Sequence, residues 1–425
     1  MKARLIRVGA WLLAAVAVLY LLLIGIELVR QACEWPTLHR DRDFPSYYLA
    51  AQRLLRGQDT YSGLQEDARH LGIAGYFIDS AVNPPTFTVA TLFLALVPYA
   101  AAWGLWQVLS LAALVVSMAL LIREAREKFS GPAWLRLVCA ALLFPPLGFH
   151  LLYAHTELFL LLALTAAWVL LRRGKEIPAG ILLGLAAAIR IYPLFLLLHL
   201  LQRRSWKALG AAVAGGLSWA GLTALVADPS SFWHYLATLQ EEVPTLYPRW
   251  GNFSLWGSVH KLASIWPALG ERPALRDGLA LALSAGILLL TLWLARRPGR
   301  RPAGVDRAYG LFIVGALLAS PLSWIYYQVL LYVPFFFLLV GGQRERRRPA
   351  VTALLVVALA ASLAPVLGGW GTLPTGWSRL VAFLPTVTLV ATYAALALGD
   401  GEPSPKGFPA APSTAVSCDP QQTSE

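Results

Sequence analysis

Charge is what this sequence has least of. Of its 425 residues only 14% are Asp, Glu, Lys or Arg, 57% are hydrophobic, and the mean hydropathy is +0.59. A soluble globule carries roughly a quarter of its residues charged, which excludes a water-soluble domain for most of the chain. Cysteine is almost as scarce: Cys33, Cys139 and Cys418 are the three present. They have no metal-ligand spacing and define no disulfide framework. The phosphate-cradling glycine loop, the dinucleotide fingerprint and the zinc-hydrolase HExxH pattern are all missing, which argues against ATP-driven transport, nicotinamide chemistry and zinc hydrolysis. Acidic residues are outnumbered 23 to 35 by Lys and Arg, a net charge of +12. Nucleic-acid binding does not follow, because the basic residues sit in short blocks between apolar runs, the pattern that marks the cytoplasmic side of a membrane protein.

What is present in abundance is apolar sequence, with sixteen Trp, many near the run ends where an interfacial belt would hold them. Runs recur at about 9–28, 101–122, 133–147, 151–171, 177–201, 209–227, 279–295, 309–318, 324–340, 351–367 and 380–398. Open strands cannot cross a bilayer with their backbone groups unpaired, so the expected fold is all-α and polytopic. The basic start (Lys2, Arg4, Arg7) leads into an apolar run too long for a signal-peptide core and without a small-x-small cleavage site, so a retained first helix is expected. The blocks Arg172-Arg173-Gly174-Lys175, Arg203-Arg204 with Lys207, 296–301 and 344–348 read as cytoplasmic. This places 34–83, 150–155, 228–276, 320–324 and 369–377 outside. Because 177–201 has basic blocks at both ends and Arg190-Ile191-Tyr192-Pro193 in its middle, it reads as a hairpin of two half-helices broken by proline, apex outward. Residues 84–97 read as re-entrant or steeply tilted. The count comes to about twelve crossings with both termini cytoplasmic, forming one transmembrane domain over 1–399. The Pro-, Ser- and Gly-rich tail, 400–425, lacks the apolar residues for a core and reads as disordered.

Several polar residues need an explanation in such a setting. Asp41 and Asp43 precede Phe44-Pro45, and from Ser46 to Leu55 apolar positions recur at helical spacing with Gln52, Arg53 and Arg56 opposite. This reads as a short amphipathic helix lying along the interface, stopped by Gly57, with two carboxylates at its mouth; the bland alternative is a solvated acidic loop. Arg190 lies mid-run, where a cation costs roughly 2.5–3.5 kcal/mol even on lenient scales. It holds either an anionic group such as a lipid phosphate or a structural carboxylate partner. His155 and Glu157 stand at positions i and i+2, which do not share a helix face, so the expectation is that one lines a cavity while the other packs. Asn83-Pro84-Pro85, Asn252-Phe253-Ser254 and Ser320-Pro321-Leu322-Ser323-Trp324 are further outer-loop candidates, Asn252 also opening a glycosylation tripeptide. Carboxylates of the outer loops stand in no liganding pattern, and no obligatory metal is expected.

Taken in order, the stretches from Asp43-Phe44 through Tyr47-Tyr48, Gly57-Gln58-Asp59-Thr60-Tyr61, Asn83-Pro84-Pro85, Arg190-Ile191-Tyr192-Pro193, Asn252-Phe253-Ser254-Leu255 and Ser320-Pro321-Leu322-Ser323-Trp324 resemble the bacterial polyprenyl-phosphate-mannose-dependent mannosyltransferases, family 87 of the GT-C membrane glycosyltransferases. The likeness runs over about 9–340. It implies a bacterial plasma-membrane enzyme with no cofactor, moving a sugar, expected to be mannosyl, from a polyprenyl phosphate to a lipid or glycan acceptor at the outer face. It implies Asp43 as the catalytic base, with Asp41 and Glu157 as rivals and His155 beside them, and Arg190 with Tyr192 at the donor phosphate. Tyr47, Tyr48, Asn83, Asn252, Ser320, Trp324, Tyr326 and Tyr327 are implied in the pocket. Two departures stand out: His155-Thr156-Glu157 occupies the place of the family's glutamine-x-asparagine, and Ile325-Tyr326 that of an aspartate-histidine pair. The alternatives are a transporter or lipid flippase, with Arg190 on the substrate path, and an inactive scaffolding subunit.

Overall fold

The computed structural model describes residues 2–34, 38–39, 42–73, 81–125, 138–296, 302–341, 349–363 and 381–399. Asp41 and the 400–425 tail lie outside these residues. Among those described, every named element is a helix, and the only paired extended backbone is a single bridge between Asn252 and Trp324.

The count of about twelve crossings is not met. Four helices among the described residues are long and apolar enough to span a membrane: Val8–Cys33, Tyr99–Ala125, Trp206–Val226 and Pro273–Ala295. The first and third turn most of their apolar side chains outward, with Trp11, Leu19 and Ile26 exposed on one and Leu217 and Leu225 on the other, the surface that lipid would cover. The remaining apolar runs are divided. Run 177–201 becomes Glu176–Ile189, a 3-10 turn at Tyr192–Leu194 and Phe195–Gln202. Run 324–340 becomes a 3-10 stretch, Ile325–Leu331, followed by Tyr332–Gly341, and residues 84–97 split into Pro85–Ala90 and Leu92–Leu96. Hydropathy records that such runs avoid water but not whether lipid or protein surrounds them. At 1.5 Å per residue, Glu176–Ile189 with its 14 residues reaches only about 21 Å of a roughly 30 Å hydrocarbon core.

A large buried core is built around Glu157–Arg172 and Pro302–Ala319. Tyr309 donates to the Leu164 carbonyl (2.8 Å), and at the basic end Asp306 accepts from both Trp168 Nε1 (2.8 Å) and Arg172 (3.1 Å). Arg173 pairs with Glu124 at 2.7 Å, so part of this basic block is neutralised within the protein.

A second core forms around Phe44–Leu55, and here the interfacial reading needs correcting. Residues 44–51 are all buried, with Phe44, Tyr47 and Tyr48 packed against Phe87, Tyr99 and Trp106. Only the last turn keeps the predicted polarity, Arg53 reaching Asp67 at 2.8 Å and Gly57 closing the helix at φ +67°. Helical spacing alone does not separate the two settings, because aromatic side chains suit a headgroup boundary and a protein cavity equally well.

Glu176–Ile189 and Trp206–Val226 run parallel and in close contact. Gly180 faces Ala208, Gly184 faces Ala212, and Gly216 faces Gly184, a small-xxx-small stripe that lets two backbones approach. Because the two helices run the same way, residues 190–205 must bring the chain back to the level at which the first began. A Cβ added at Gly180 or Gly184 would overlap the Ala208 or Ala212 carbonyl, whereas one at Gly210 meets nothing within 4 Å. Gly210→Ala should therefore gain up to about 1 kcal/mol of helix propensity, while Gly184→Ala should lose about 1–3 kcal/mol to overlap. Thermal unfolding of the purified variants in detergent checks the opposite signs.

Candidate active site

The two cores meet where three chain breaks converge. The first is Asp43, at the N-cap of Phe44–Leu55. Aspartate is favoured there because its carboxylate can accept from the first backbone N–H groups, yet this one makes no capping bond. Pro45 in the first turn removes one donor, and the Ser46 hydroxyl donates to the Asp43 carbonyl at 2.7 Å. The carboxylate is left to turn inward.

The second break follows Pro145–Tyr153, which ends on Ala154 in the left-handed region at φ 52°. That conformation costs a residue with a Cβ about 1–2 kcal/mol. Trp106 Nε1 donates to the Ala154 carbonyl (2.8 Å), and the Leu158 N–H donates to His150 Nε2 (3.1 Å), fixing the turn from both sides. His155 consequently lies in the turn and Glu157 begins the next helix. The i, i+2 argument applies within one helix and fails here, because the two side chains meet: His155 Nδ1 is hydrogen-bonded to Glu157 Oε2.

The third break is Arg190, extended at φ −140°, ψ 138°, where Glu176–Ile189 stops ahead of the Tyr192-Pro193 turn. Its guanidinium donates to Thr156 Oγ1 from Nε (3.2 Å) and Nη2 (3.1 Å), approaches His155 Nε2 at 3.2 Å, and lies 3.8 Å from Glu157 Oε1. Tyr192 donates to Glu157 Oε1 at 3.4 Å. Glu157 is fully buried with both oxygens engaged, so it has no face for a substrate. Arg190 thus has the carboxylate partner expected of a structural cation, while 11% of its side chain remains exposed.

Tyr326 lies on His155 with ring centroids 4.0 Å apart, and Tyr327 lies between His155 (5.4 Å), Tyr192 (5.6 Å) and the Arg190 guanidinium (5.7 Å). Tyr47 closes the other side, 6.2 Å from the His155 ring. The two stretches that depart from the family pattern, 155–157 and 325–326, are therefore in direct contact.

Other expected pocket residues serve the frame. Asn252 is buried, its amide donating to the Pro321 carbonyl (2.9 Å) and accepting from Ser254 N (3.2 Å) and Ser323 N (3.0 Å). It clamps the 320–324 turn, and burial removes it as a glycosylation acceptor. Ser320 closes that turn onto Leu322 (2.9 Å), and Trp324 takes the bridge to Asn252. Tyr48 points away to the Val97 carbonyl at 3.1 Å. Asn83 is buried, its carbonyl accepting from Tyr61 at 3.0 Å. Thr156, His150 and Trp106 are not among the expected site residues. Only the glycine-free left-handed turn makes them matter, and no periodicity announces it.

Burial, together with the charge of Arg190 and the nearby His150, holds the His155 imidazole well below its ordinary pKa, so it is neutral at pH 7. Its contacts then fix the tautomer: Nδ1–H donates to Glu157 and Nε2 accepts from Arg190. Asp43 Oδ2 stands 3.6 Å from that Nε2, beyond hydrogen-bond range, and is a buried acceptor without a hydrogen-bond partner among the described residues. Burial pushes the Asp43 carboxyl up to about 6, against the opposing pull of Arg190, a hydrogen bond from Tyr326, and Arg42. Among the described residues, no three His, Cys, Asp or Glu side chains are grouped to hold a metal ion.

A family model described as Glycosyltransferase family 87 matches residues 81–321. The match contains His155, Glu157, Arg190 and Asn252 but neither Asp43 nor Tyr326. The chain is also similar to a polyprenol-phosphate-mannose-dependent alpha-(1-2)-phosphatidylinositol mannoside mannosyltransferase of Mycolicibacterium smegmatis, 29% identical over 216 residues, 47% of each chain. It spans about half the length of that relative. No solved structure matches the chain significantly.

The raised Asp43 pKa carries a stability consequence. An acid whose pKa is higher folded than unfolded destabilises the fold as pH rises from its ordinary 3.8 to about 6, and above that window the full cost, about 3 kcal/mol, persists. Asp43→Asn should therefore raise the thermal midpoint relative to the unsubstituted protein at pH 7.5 and leave it nearly unchanged at pH 4. Melting curves at the two pH values test this.

Proposed function

Because the chain belongs to glycosyltransferase family 87, we propose that it transfers a glycosyl residue, mannosyl in the first instance, from a polyprenyl-phosphate sugar to a lipid-linked or envelope glycan acceptor at the outer face of the membrane. The observation that carries the mechanism is the Asp43 carboxylate, turned away from its helix and left with one oxygen unpaired.

An acceptor hydroxyl donates its proton to the Asp43 carboxylate as its oxygen attacks the anomeric carbon. The bond from that carbon to the phosphate oxygen breaks, its electron pair leaves with the phosphate, and the configuration inverts. Phosphate is already a good leaving group, so a single base contributing about 10²–10⁴-fold suffices. The elevated Asp43 pKa makes it a stronger base than an ordinary carboxylate and still ionised at neutral pH. Arg190 meets the negative charge that grows on the phosphate. Glu157 keeps the imidazole tautomer and the guanidinium in place without touching substrate, and Tyr192 fixes Glu157 in turn.

Three measurements bear on this reading. Asp43→Asn should lose transfer by 10²–10⁴-fold while donor-lipid binding persists; near-normal turnover in the folded variant would refute the assignment. Since Asp43 must be ionised, transfer should fall as pH drops below about 6, and the loss should track turnover at saturating substrates. Arginine offers a rigid fork and lysine a point charge, so Arg190→Lys should keep part of the activity and Arg190→Gln little. Because one group holds both ground-state and leaving phosphate, Arg190→Gln should raise the donor KM and lower kcat. A purely structural arginine would instead reduce yield and thermal stability and leave donor affinity unchanged.

A further inference from the structure

Away from the three chain breaks, the segment 244–277 lines an open cleft of about 520 Å³, within the range of small-ligand sites. We infer that this cleft binds a neutral sugar unit of the acceptor glycan, beyond the residue that receives the transferred sugar. The inference rests on the proposed glycan acceptor and adds a binding site to it.

The lining chemistry selects the ligand. Tyr247, Trp256 and His260 form one aromatic wall, with Tyr247 5.1 Å from both the Trp256 and His260 rings and Trp256 stacked on His260 at 22° and 6.4 Å. Beside His260 stand Arg276 and Asp277, joined at 2.8 Å, with His260 Nε2 3.1 Å from Asp277 Oδ1, and Ser264 adds a hydroxyl. A pyranose has the complementary shape: a face of C–H groups that covers an aromatic ring and a rim of hydroxyls that pair with planar polar side chains. A lipid tail would strip water from the Arg276–Asp277 ion pair and put nothing polar in its place. A phosphate would meet the Asp277 carboxylate, and that repulsion offsets the attraction of Arg276.

The cleft is also tied to the reaction site. Trp256 lies in the first turn of Leu255–Ile265, whose cap Ser254 donates to the Pro321 carbonyl at 3.0 Å. Asn252 grips the same turn and bridges to Trp324, and Trp324 stacks on Tyr326 at 6.5 Å. A sugar seated against Trp256 therefore rests on the strut that supports the Tyr326 wall.

The test is calorimetric titration of a neutral α-linked mannotetraose into the full chain in detergent. Binding in the millimolar range or tighter is expected, weakened at least tenfold in Trp256→Ala and in Asp277→Asn and largely restored in Trp256→Tyr, with donor-lipid affinity unchanged throughout. Absence of mannotetraose binding at 50 mM, or binding indifferent to both substitutions in folded protein, overturns the inference. Asp43→Asn should bind mannotetraose like the unsubstituted chain. Loss of transferase activity and loss of this site are thereby separately visible: saccharide binding without transfer would sink the reaction, and transfer without saccharide binding would sink the pocket.

Discussion

A carboxylate and a guanidinium buried together must neutralise each other, and the centre of this protein is organised by that demand. Glu157 is sealed from solvent at the start of its helix, where an unpaired charge would cost several kcal/mol. His155, Thr156, Tyr192 and Arg190 satisfy it from two different segments. The same contacts hold the imidazole in one tautomer and fix the guanidinium, whose charge acts on Asp43. Withdrawing any member leaves a buried group unsatisfied, so the polar centre is held as a unit.

The helices supply the positions this unit needs. Close approach of Glu176–Ile189 to Trp206–Val226 through Gly180 and Gly184 sets the depth at which Arg190 emerges. Thr86 bonds the Ala188 carbonyl and accepts from Trp219 at its own carbonyl (3.1 Å), linking Pro85–Ala90 to the same pair. Asn252 does for Tyr326 what the glycine stripe does for Arg190. One buried amide braces the 320–324 turn, and the tight stretch after it delivers Tyr326 and Tyr327 against the imidazole.

Against the family pattern, the contact between His155 and Tyr326 makes one local exchange out of two separate departures. A neutral imidazole packed on a tyrosine ring demands no buried countercharge, so the tyrosine suits the histidine as a neighbour. Arg190 spans the same group and reaches Thr156 with two nitrogens at once, which a lysine could not do. Asp43 touches both sides of this exchange, 3.6 Å from His155 Nε2 and hydrogen-bonded by Tyr326.

Composition and periodicity by themselves determined that the chain is helical and membrane-bound, and the order of weak motifs pointed to its family. Those properties are additive along a chain: each apolar run and each basic block contributes locally, and the hydrophobic effect responds to their sum. Singling out Arg190 also needed no structure, because a cation in the middle of an apolar run demands a partner wherever it lies. Which runs cross a membrane and which are wrapped in protein, that Phe44–Leu55 is core rather than interface, that His155 and Glu157 touch, and that Asn252 braces a turn were decided by tertiary structure alone. Each depends on what a side chain meets across a distance of many residues, as with Asn252 and Ser323 or Glu157 and Arg190. Hydropathy and helical phase describe a residue's own surroundings in sequence, and the partner that settles its role lies elsewhere in the chain.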